Sequence, residues 1–406
     1  MNTLLNNPEL GRLGKSQIVQ MLDTICRSIE PTETQYDDAN ERYKTIGEFL
    51  AEDNSPLARF RPVIYPQGSM RIRAAIRPIH GKEFDVDLVC EFKEMPSADP
   101  KLVKKLVWDR FQQSDRYRSM AVEKNRCVQL QYAGDFHMDI MPCVPGQPGW
   151  EKVGAVWVPD KKMNDWKPSN PTGYAAFVET SASRLPQQRL RVLNASKGEV
   201  RAKAADVQPL PPDQSFTKPA LIRIIQVLKR HRDEHFRNDH DSAPISVIIT
   251  TLATHSYSDV VGKMTFDSVY DLLLEVVAGM PKFILVNKET AAYTIPNPTH
   301  QKENFAEKWN SDPKLAKAFF DWHRKTVADM KALADQEAEG LDAFGTKLKN
   351  AFGEHPANEA VRAFSASIRD STKAGKTGIT SSGLVVTAAS TIPAVAKTPP
   401  HNFHGG

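Results

Sequence analysis

Phe84-Asp85-Val86-Asp87-Leu88-Val89 alternates large apolar and acidic residues, and His137-Met138-Asp139-Ile140-Met141 does the same further along. A period of two is that of a half-buried strand, so Phe84, Val86 and Leu88 take one face and Asp85 and Asp87 the other. In the second segment Phe136, Met138 and Ile140 oppose His137, Asp139 and Met141. The preceding run, RCVQLQYAG, reads as the other arm of a hairpin turning at Ala133 to Asp135. Upstream, RPVIYPQGS from Arg61 reads as a strand closing at Gly68-Ser69, with 15 residues between Ser69 and Asp85.

Working outward, Ile18, Val19, Leu22, Ile25 and Ile29, then Tyr43, Ile46, Phe49 and Leu50, recur at helical spacing and predict an N-terminal helical pair. Leu102, Val103, Leu106 and Phe111 predict a helix between the strand runs, giving a mixed α/β layer that ends near residue 215 at the Pro-rich QPLPPDQ. Beyond it, Leu221, Ile224, Ile225 and Leu228, then Phe266, Val269, Leu273 and Val276, then Phe305, Trp309, Phe319 and Phe320 predict a mostly helical second unit. No acidic residue follows Asp370, and the last 36 positions are dominated by Ser, Thr, Ala, Pro, Gly and Lys, which predicts a mobile tail. The expected units are therefore 1–215, 216–370 and a flexible tail over 371–406.

Composition excludes several classes. The 406 residues include 53 Lys+Arg against 49 Asp+Glu and are 40% hydrophobic, as in a folded, water-exposed protein whose nucleotide or nucleic-acid contacts must come from local clustering. Cys26, Cys90, Cys127 and Cys143 are widely spaced, which argues against a zinc ribbon or disulfide framework. A secretory leader and an apolar run long enough to span a bilayer are both missing from the pattern, so a cytoplasmic protein without membrane association is expected.

Two carboxylates one strand repeat apart repel each other unless a cation lies between them, so Asp85 and Asp87 suggest a hard-metal site, with Mg²⁺ or Mn²⁺ as occupant. A D-x-D pair alone also fits a solvated strand face. Asp139 adds a third acid from a neighbouring strand, and three acids from two strands can hold two ions about 3.5–4 Å apart for in-line phosphoryl or nucleotidyl transfer. Gly68 and Ser69 would bring unobstructed N–H groups and a hydroxyl to a triphosphate. His231 and His235, four apart on an expected helix, lack the order of a zinc motif and are read as a surface pair. Gly375-Lys376-Thr377 is a weak P-loop match with no strand before it.

Together, Tyr65-Pro66-Gln67-Gly68-Ser69, Glu83 to Val89 and His137 to Pro142 resemble the signature of the polymerase-β-type nucleotidyltransferase superfamily. Within it, Leu228-Lys229-Arg230-His231-Arg232-Asp233 and the run Ala243 to Thr250 make the chain similar to the bacterial CD-NTases, cyclic-oligonucleotide synthases related to animal cyclic GMP-AMP synthase and to oligoadenylate synthase. The resemblance spans residues 40 to 370. It implies an α+β fold with a polymerase-β-like mixed-sheet core, N-terminal helices, an oligoadenylate-synthase-like helical domain and a disordered tail. It implies a template-independent enzyme that joins nucleoside triphosphates, ATP and GTP among them, into a cyclic di- or trinucleotide.

By position, Asp85, Asp87 and Asp139 would be the catalytic acids and ligands of two Mg²⁺ ions, replaceable by Mn²⁺. Gln67, Gly68, Ser69, Lys229 and Ser246 would bind the nucleotide. Val247 stands where some relatives place a base-stacking aromatic, so the base-reading residues stay unassigned. The resemblance further implies antiphage signalling of the kind called CBASS, a downstream effector that binds the product, and an E1/E2-like partner acting on the C-terminal Gly406 of the Gly405-Gly406 end. The alternatives are a linear transferase acting on RNA or protein, and an inactive nucleotide-binding module.

Overall fold

The computed structural model describes residues 8–79, 84–95, 99–132, 136–146, 154–162, 164–188, 208–209, 218–334, 341–374, 377–379, 385–387 and 396–397. The chain opens with α1 (Pro8–Ile29) and α2 (Glu33–Ala51). A reciprocal capping box starts α2: Gln35 N–H donates to Thr32 Oγ1 at 3.2 Å, and Thr32 N–H to Gln35 Oε1 at 3.0 Å. The α/β layer then runs β1 (Pro62–Pro66), α3 (Gly68–Arg71), β2 (Phe84–Phe92), α4 (Pro100–Gln112), β3 (Ala121–Glu123), β4 (Val128–Gln131), β5 (Phe136–Pro145), β6 (Val156–Asp160), β7 (Asp165–Ser169) and α5 (Pro171–Ala182).

The seven strands form one sheet in the order β1-β2-β5-β4-β3, with β6 pairing the far end of β5 and β7 pairing β6. All pairs are antiparallel except β2 with β5. The apolar residues of the two quoted stretches behave as their alternation requires: Val86, Leu88, Met138 and Ile140 are at most 4% exposed. They pack with Val128 and Leu130 of β4 against Ile46 and Leu50 of α2 and Val103, Val107 and Phe111 of α4. Leu102 differs from the sequence reading: it lies on the outer side of α4, exposed.

The helical half comprises α6 (Ala220–His235), α7 (Ser246–Val261), α8 (Val269–Gly279), α9 (Glu307–Ser311), α10 (Pro313–Ala334), α11 (Leu341–Phe352) and α12 (Glu354–Lys373). Its core, with Trp322, Phe319, Phe352 and Tyr270 at the centre, also takes in Ile18, Leu22 and Ile25 of α1. Phe266 and Phe305, grouped with helices in the sequence reading, lie outside them. Phe266 is in a two-residue strand, and Ser268 starts α8 by accepting from Asp271 N–H at 3.1 Å. Between α8 and α9, residues 285–304 form two small antiparallel pairs. In the segment expected as tail, Thr377–Ile379 pairs with Val385–Thr387 and Ala396–Lys397. Gly405 and Gly406 lie outside the described residues. Among the described residues no helix is long and apolar enough to cross a membrane.

A buried ion cluster fastens α1 to α6. Arg223, 1% exposed, donates to Asp23 Oδ1 and Glu30 Oε1 at 2.9 Å each and to Gln226 Oε1 at 2.8 Å. Gln226 Nε2 returns to Glu30 at 2.9 Å, and Lys218 also pairs with Glu30. These donors hold the Glu30 carboxyl below its usual range despite burial. Removing one member of such a cluster strands the others without their charge partner. Arg223→Ala should therefore lower stability by about 3–5 kcal/mol, read as a shift of the urea unfolding midpoint, whereas Arg42→Ala, at the partly exposed Asp38 pair, should shift it by less than about 1 kcal/mol.

Candidate active site

Parallel pairing of β2 with β5 decides where the acids go. The register sets Asp85 beside His137 and Asp87 directly beside Asp139, so all three carboxylates rise from one face of two adjacent strands. His137 Nε2 lies 2.8 Å from Asp85 Oδ1. Across the other edge of β5, Gln129 Nε2 donates to Asp139 Oδ1 at 2.9 Å. Asp85 is exposed, while Asp87 and Asp139 are half-buried.

Gly68 closes over Asp87. Its φ of +62° is left-handed, and a Cβ there would overlap the Asp87 carboxylate, so two separate constraints admit only glycine. Gln67 N–H donates to the Asp87 carbonyl at 2.9 Å and anchors the start of α3 on β2. The strand ends at Pro66 and Gly68-Ser69 belongs to the first turn of α3, one step later than the strand end read from sequence. The main-chain N–H groups of that turn lie beside the acids.

Facing this floor is α6. A cleft of about 340 Å³ is lined by Gly68, Ser69, Asp85 and Asp87 on one side and by Lys229, Arg232, Asp233, Ser246 and Thr250 on the other, with Ile76, Pro78, Ile79 and Val247 as apolar wall. Of the residues expected from sequence, Gly68, Ser69, Asp85, Asp87, Lys229 and Ser246 thus meet in one cleft. Asp139 stands next to Asp87 on the sheet, and Gln67 directs its Nε2 to Met141 Sδ at 3.8 Å. The apolar wall, Arg232, Asp233 and Tyr174 were not anticipated. Ile76, Pro78 and Ile79 of the wall belong to a stretch without strand or helix periodicity, and Arg232 and Asp233 read as ordinary solvated charges until α6 is seen to face the sheet.

Lys229 is 5% exposed, and its ammonium donates to the Ala74 carbonyl at 2.9 Å. Burial, then the neighbouring Arg232, lowers its pKa to about 8. It is one of three polar residues along a stripe of α6 that hold main-chain carbonyls of the segment after α3: Gln226 reaches Ala75 O at 3.2 Å and Arg230 reaches Arg77 O at 3.1 Å. Arg232 donates to Ser246 Oγ and to Pro244 O at 3.0 Å each, joining α6 to the start of α7. His231, read as a surface residue, is instead 2% exposed. Its Nε2 lies 3.0 Å from Asp329 Oδ2, and its Nδ1 accepts from Trp322 Nε1 at 3.1 Å; His235 is the exposed one of the two.

Electrostatically the floor is overcharged. Burial, followed by the charges of Asp85 and Asp139, pushes the Asp87 carboxyl up to about 7. Among the described residues no three His, Cys, Asp or Glu side chains are already gathered as a ligand set. The donor chemistry nevertheless suits a hard divalent cation: three oxygen ligands share a face, and the repulsion among them is what a cation would relieve.

Residues 17–181 match the family model of the Second Messenger Oligonucleotide or Dinucleotide Synthetase domain. Over 394 residues the sequence is 27% identical to a c-di-GMP synthase of Roseivirga ehrenbergii, covering 96% of this chain and 98% of that one. The chain is similar to the bacterial CD-NTases. A second relative, the cyclic dinucleotide synthase CdnG of Bradyrhizobium diazoefficiens, is 26% identical over 375 residues, with 89% and 86% of the two chains covered. In fold, the chain resembles the structure of Bradyrhizobium diazoefficiens CdnG in complex with GTP, at a TM-score of 0.64 and 23% identity over 85% of this chain and 97% of that one. It also resembles Escherichia coli CdnC with ATP, at 0.57 and 14% over 81% and 96%.

The raised Asp87 pKa gives a signed expectation. A carboxyl whose folded pKa lies near 7 rather than 3.8 contributes stability at low pH that is lost as pH rises through that window. In chelator, the melting temperature of the wild type should fall between about pH 4 and pH 7 relative to Asp87→Asn, in which this contribution is removed. Paired melting curves check it: parallel pH profiles for the two proteins would refute the assignment.

Proposed function

We propose that this protein is a template-independent nucleotidyltransferase that joins nucleoside triphosphates and closes the product into a cyclic di- or trinucleotide. The observation that carries the reading is the β2–β5 register, which sets Asp87 beside Asp139 under the Gly68-Ser69 turn and opposite the cations of α6. The two relatives are cyclic dinucleotide synthases, one of them a c-di-GMP synthase, which makes guanine nucleotides the first substrates to test, with ATP beside them.

Gly68 and Ser69 present main-chain N–H groups and a hydroxyl to the triphosphate, with Gln67 fixing the turn from the β2 side. Lys229, with Arg232 beside it, offsets phosphate charge from above, and Ser246 supplies a hydroxyl from the first turn of α7. The apolar wall of Ile76, Ile79 and Val247 receives the base. Asp85, Asp87 and Asp139 are the ligands of two divalent cations, Mg²⁺ with Mn²⁺ as substitute, which when bound lower the pKa of the attacking ribose hydroxyl and offset charge on the triphosphate. Asp139 takes up the proton of that hydroxyl.

At the level of organisation, residues 1–215 form the catalytic unit and 216–370 the helical one, closing on substrate at the cleft between them. The 371–406 segment presents Gly406 to an E1/E2-like enzyme, since only glycine passes a narrow adenylating channel. The product acts in the cytoplasm as an antiphage second messenger of the CBASS kind, read by a separate effector.

The deciding experiment supplies radiolabelled ATP, GTP, CTP and UTP with Mg²⁺, treats the products with phosphatase and separates them. The wild type should give phosphatase-resistant, cyclic products, and Asp85→Ala/Asp87→Ala should give none while melting at or above the wild-type temperature. Label that becomes fully phosphatase-sensitive, or that stays on RNA or protein, would favour a linear transferase. Nucleotide binding without pyrophosphate release would favour a binding module. Gly68→Ala should also abolish product, because its Cβ displaces the Asp87 carboxylate.

A further inference from the structure

Asp139 is held differently from the other two acids. In the antiparallel β4–β5 pairing Gln129 stands directly opposite it, on the same face of the sheet, since Val128 and Leu130 on either side turn into the apolar core. Gln129 is 7% exposed, and its Nε2 donates to Asp139 Oδ1 at 2.9 Å. A carboxylate only accepts, so Nε2 is the end of the amide that faces Asp139, and Oε1 lies 3.5 Å from Gln131 Nε2. The Cys127 thiol, just before β4, has its pKa pushed up first by burial and then by the nearby Asp139 carboxylate.

The chemistry of position 129 is selective. A lysine or arginine there would form an ion pair with Asp139 and compete with a divalent cation for its charge. An aspartate or glutamate would add to the repulsion already present on this face. An apolar residue would leave Oδ1 half-buried without its donor. A neutral amide fixes one oxygen and leaves both the charge and the second oxygen available.

We propose that Gln129 is a positioning residue: it holds the Asp139 carboxylate, through Oδ1, in the orientation in which the other oxygen takes a divalent cation. The assignment rests on the nucleotidyl-transfer reading for its catalytic consequence, but its effect on metal binding does not depend on turnover. Residues that orient metal ligands typically affect affinity or activity by about 10–100-fold when removed.

The test measures Mn²⁺ affinity by the loss of the free-ion EPR signal, with and without a non-hydrolysable GTP analogue, together with kcat and KM. Gln129→Met keeps the volume and removes the donor, and Gln129→Asn keeps an amide one methylene too short, so misfolding of one leaves the other. Either folded variant should bind Mn²⁺ about 10–100-fold more weakly and lose kcat by a similar factor, with KM for nucleotide changed by less than about 2-fold. In an Asp139→Asn background, Gln129→Met should weaken Mn²⁺ binding no further. Wild-type Mn²⁺ affinity in folded variants, or lost turnover that merely follows lost folded protein, would overturn the proposal, as would a wild type that binds no Mn²⁺. A wild type that binds Mn²⁺ and makes no nucleotide product would instead sink the nucleotidyl-transfer reading, while the Mn²⁺ titrations still judged Gln129.

Discussion

Like charges on neighbouring strands are the constraint around which this molecule is arranged. Parallel strands lie about 4.8 Å apart, so the β2–β5 register presses Asp87 toward Asp139 with Asp85 two residues away on the same face. Such a floor is tolerable because the rest of the fold surrounds it with answers of different kinds. Below are apolar residues that set the strands rigidly. At the edges are His137 and Gln129, which engage two of the acids. Over the top lies a turn that admits only glycine, and opposite stands a helix rich in cations. The floor is the part the sheet core cannot neutralise by itself.

Helix α6 is the second organising element, and it owes its position to polar rather than apolar residues. Arg223, Gln226, Lys229, Arg230 and His231 are all buried, though a charge-rich segment would ordinarily lie at the surface. Their partners lie outside α6: α1 for Arg223, the segment after α3 for Gln226, Lys229 and Arg230, and α10 for His231. The helix therefore connects the N-terminal helix, the catalytic sheet and the helical core simultaneously, and the cleft's cations are held by the same piece of backbone that fixes the cleft's width.

Much of this was legible in the sequence, and the limits have physical causes. The alternation in Phe84 to Val89 and His137 to Met141 disclosed the strands and the shared acid face, because a two-residue period with one buried side leaves little freedom of register. The parallel sense of β2 and β5 was not legible, because it depends on the crossover between them. Strands β6 and β7 escaped notice because Pro159, Pro168 and the charges between them dilute any alternation. His231 was misread because apolar periodicity says nothing about a polar residue buried with a complete set of partners. Gln129 gave no signal at all: its meaning comes from the residue opposite it on the next strand.

Gln226, Lys229 and Arg230 grip carbonyl oxygens of Ala74, Ala75 and Arg77, which every amino acid possesses. Of the cleft-lining residues of this segment, Ile76, Pro78 and Ile79 give no side chain to those hydrogen bonds, while Ala75 also packs into the sheet core. A lineage carrying this scaffold can change the cleft wall at these positions while the main-chain fastening and the acids stay as they are, so the shape of the cleft and its charged floor can evolve separately.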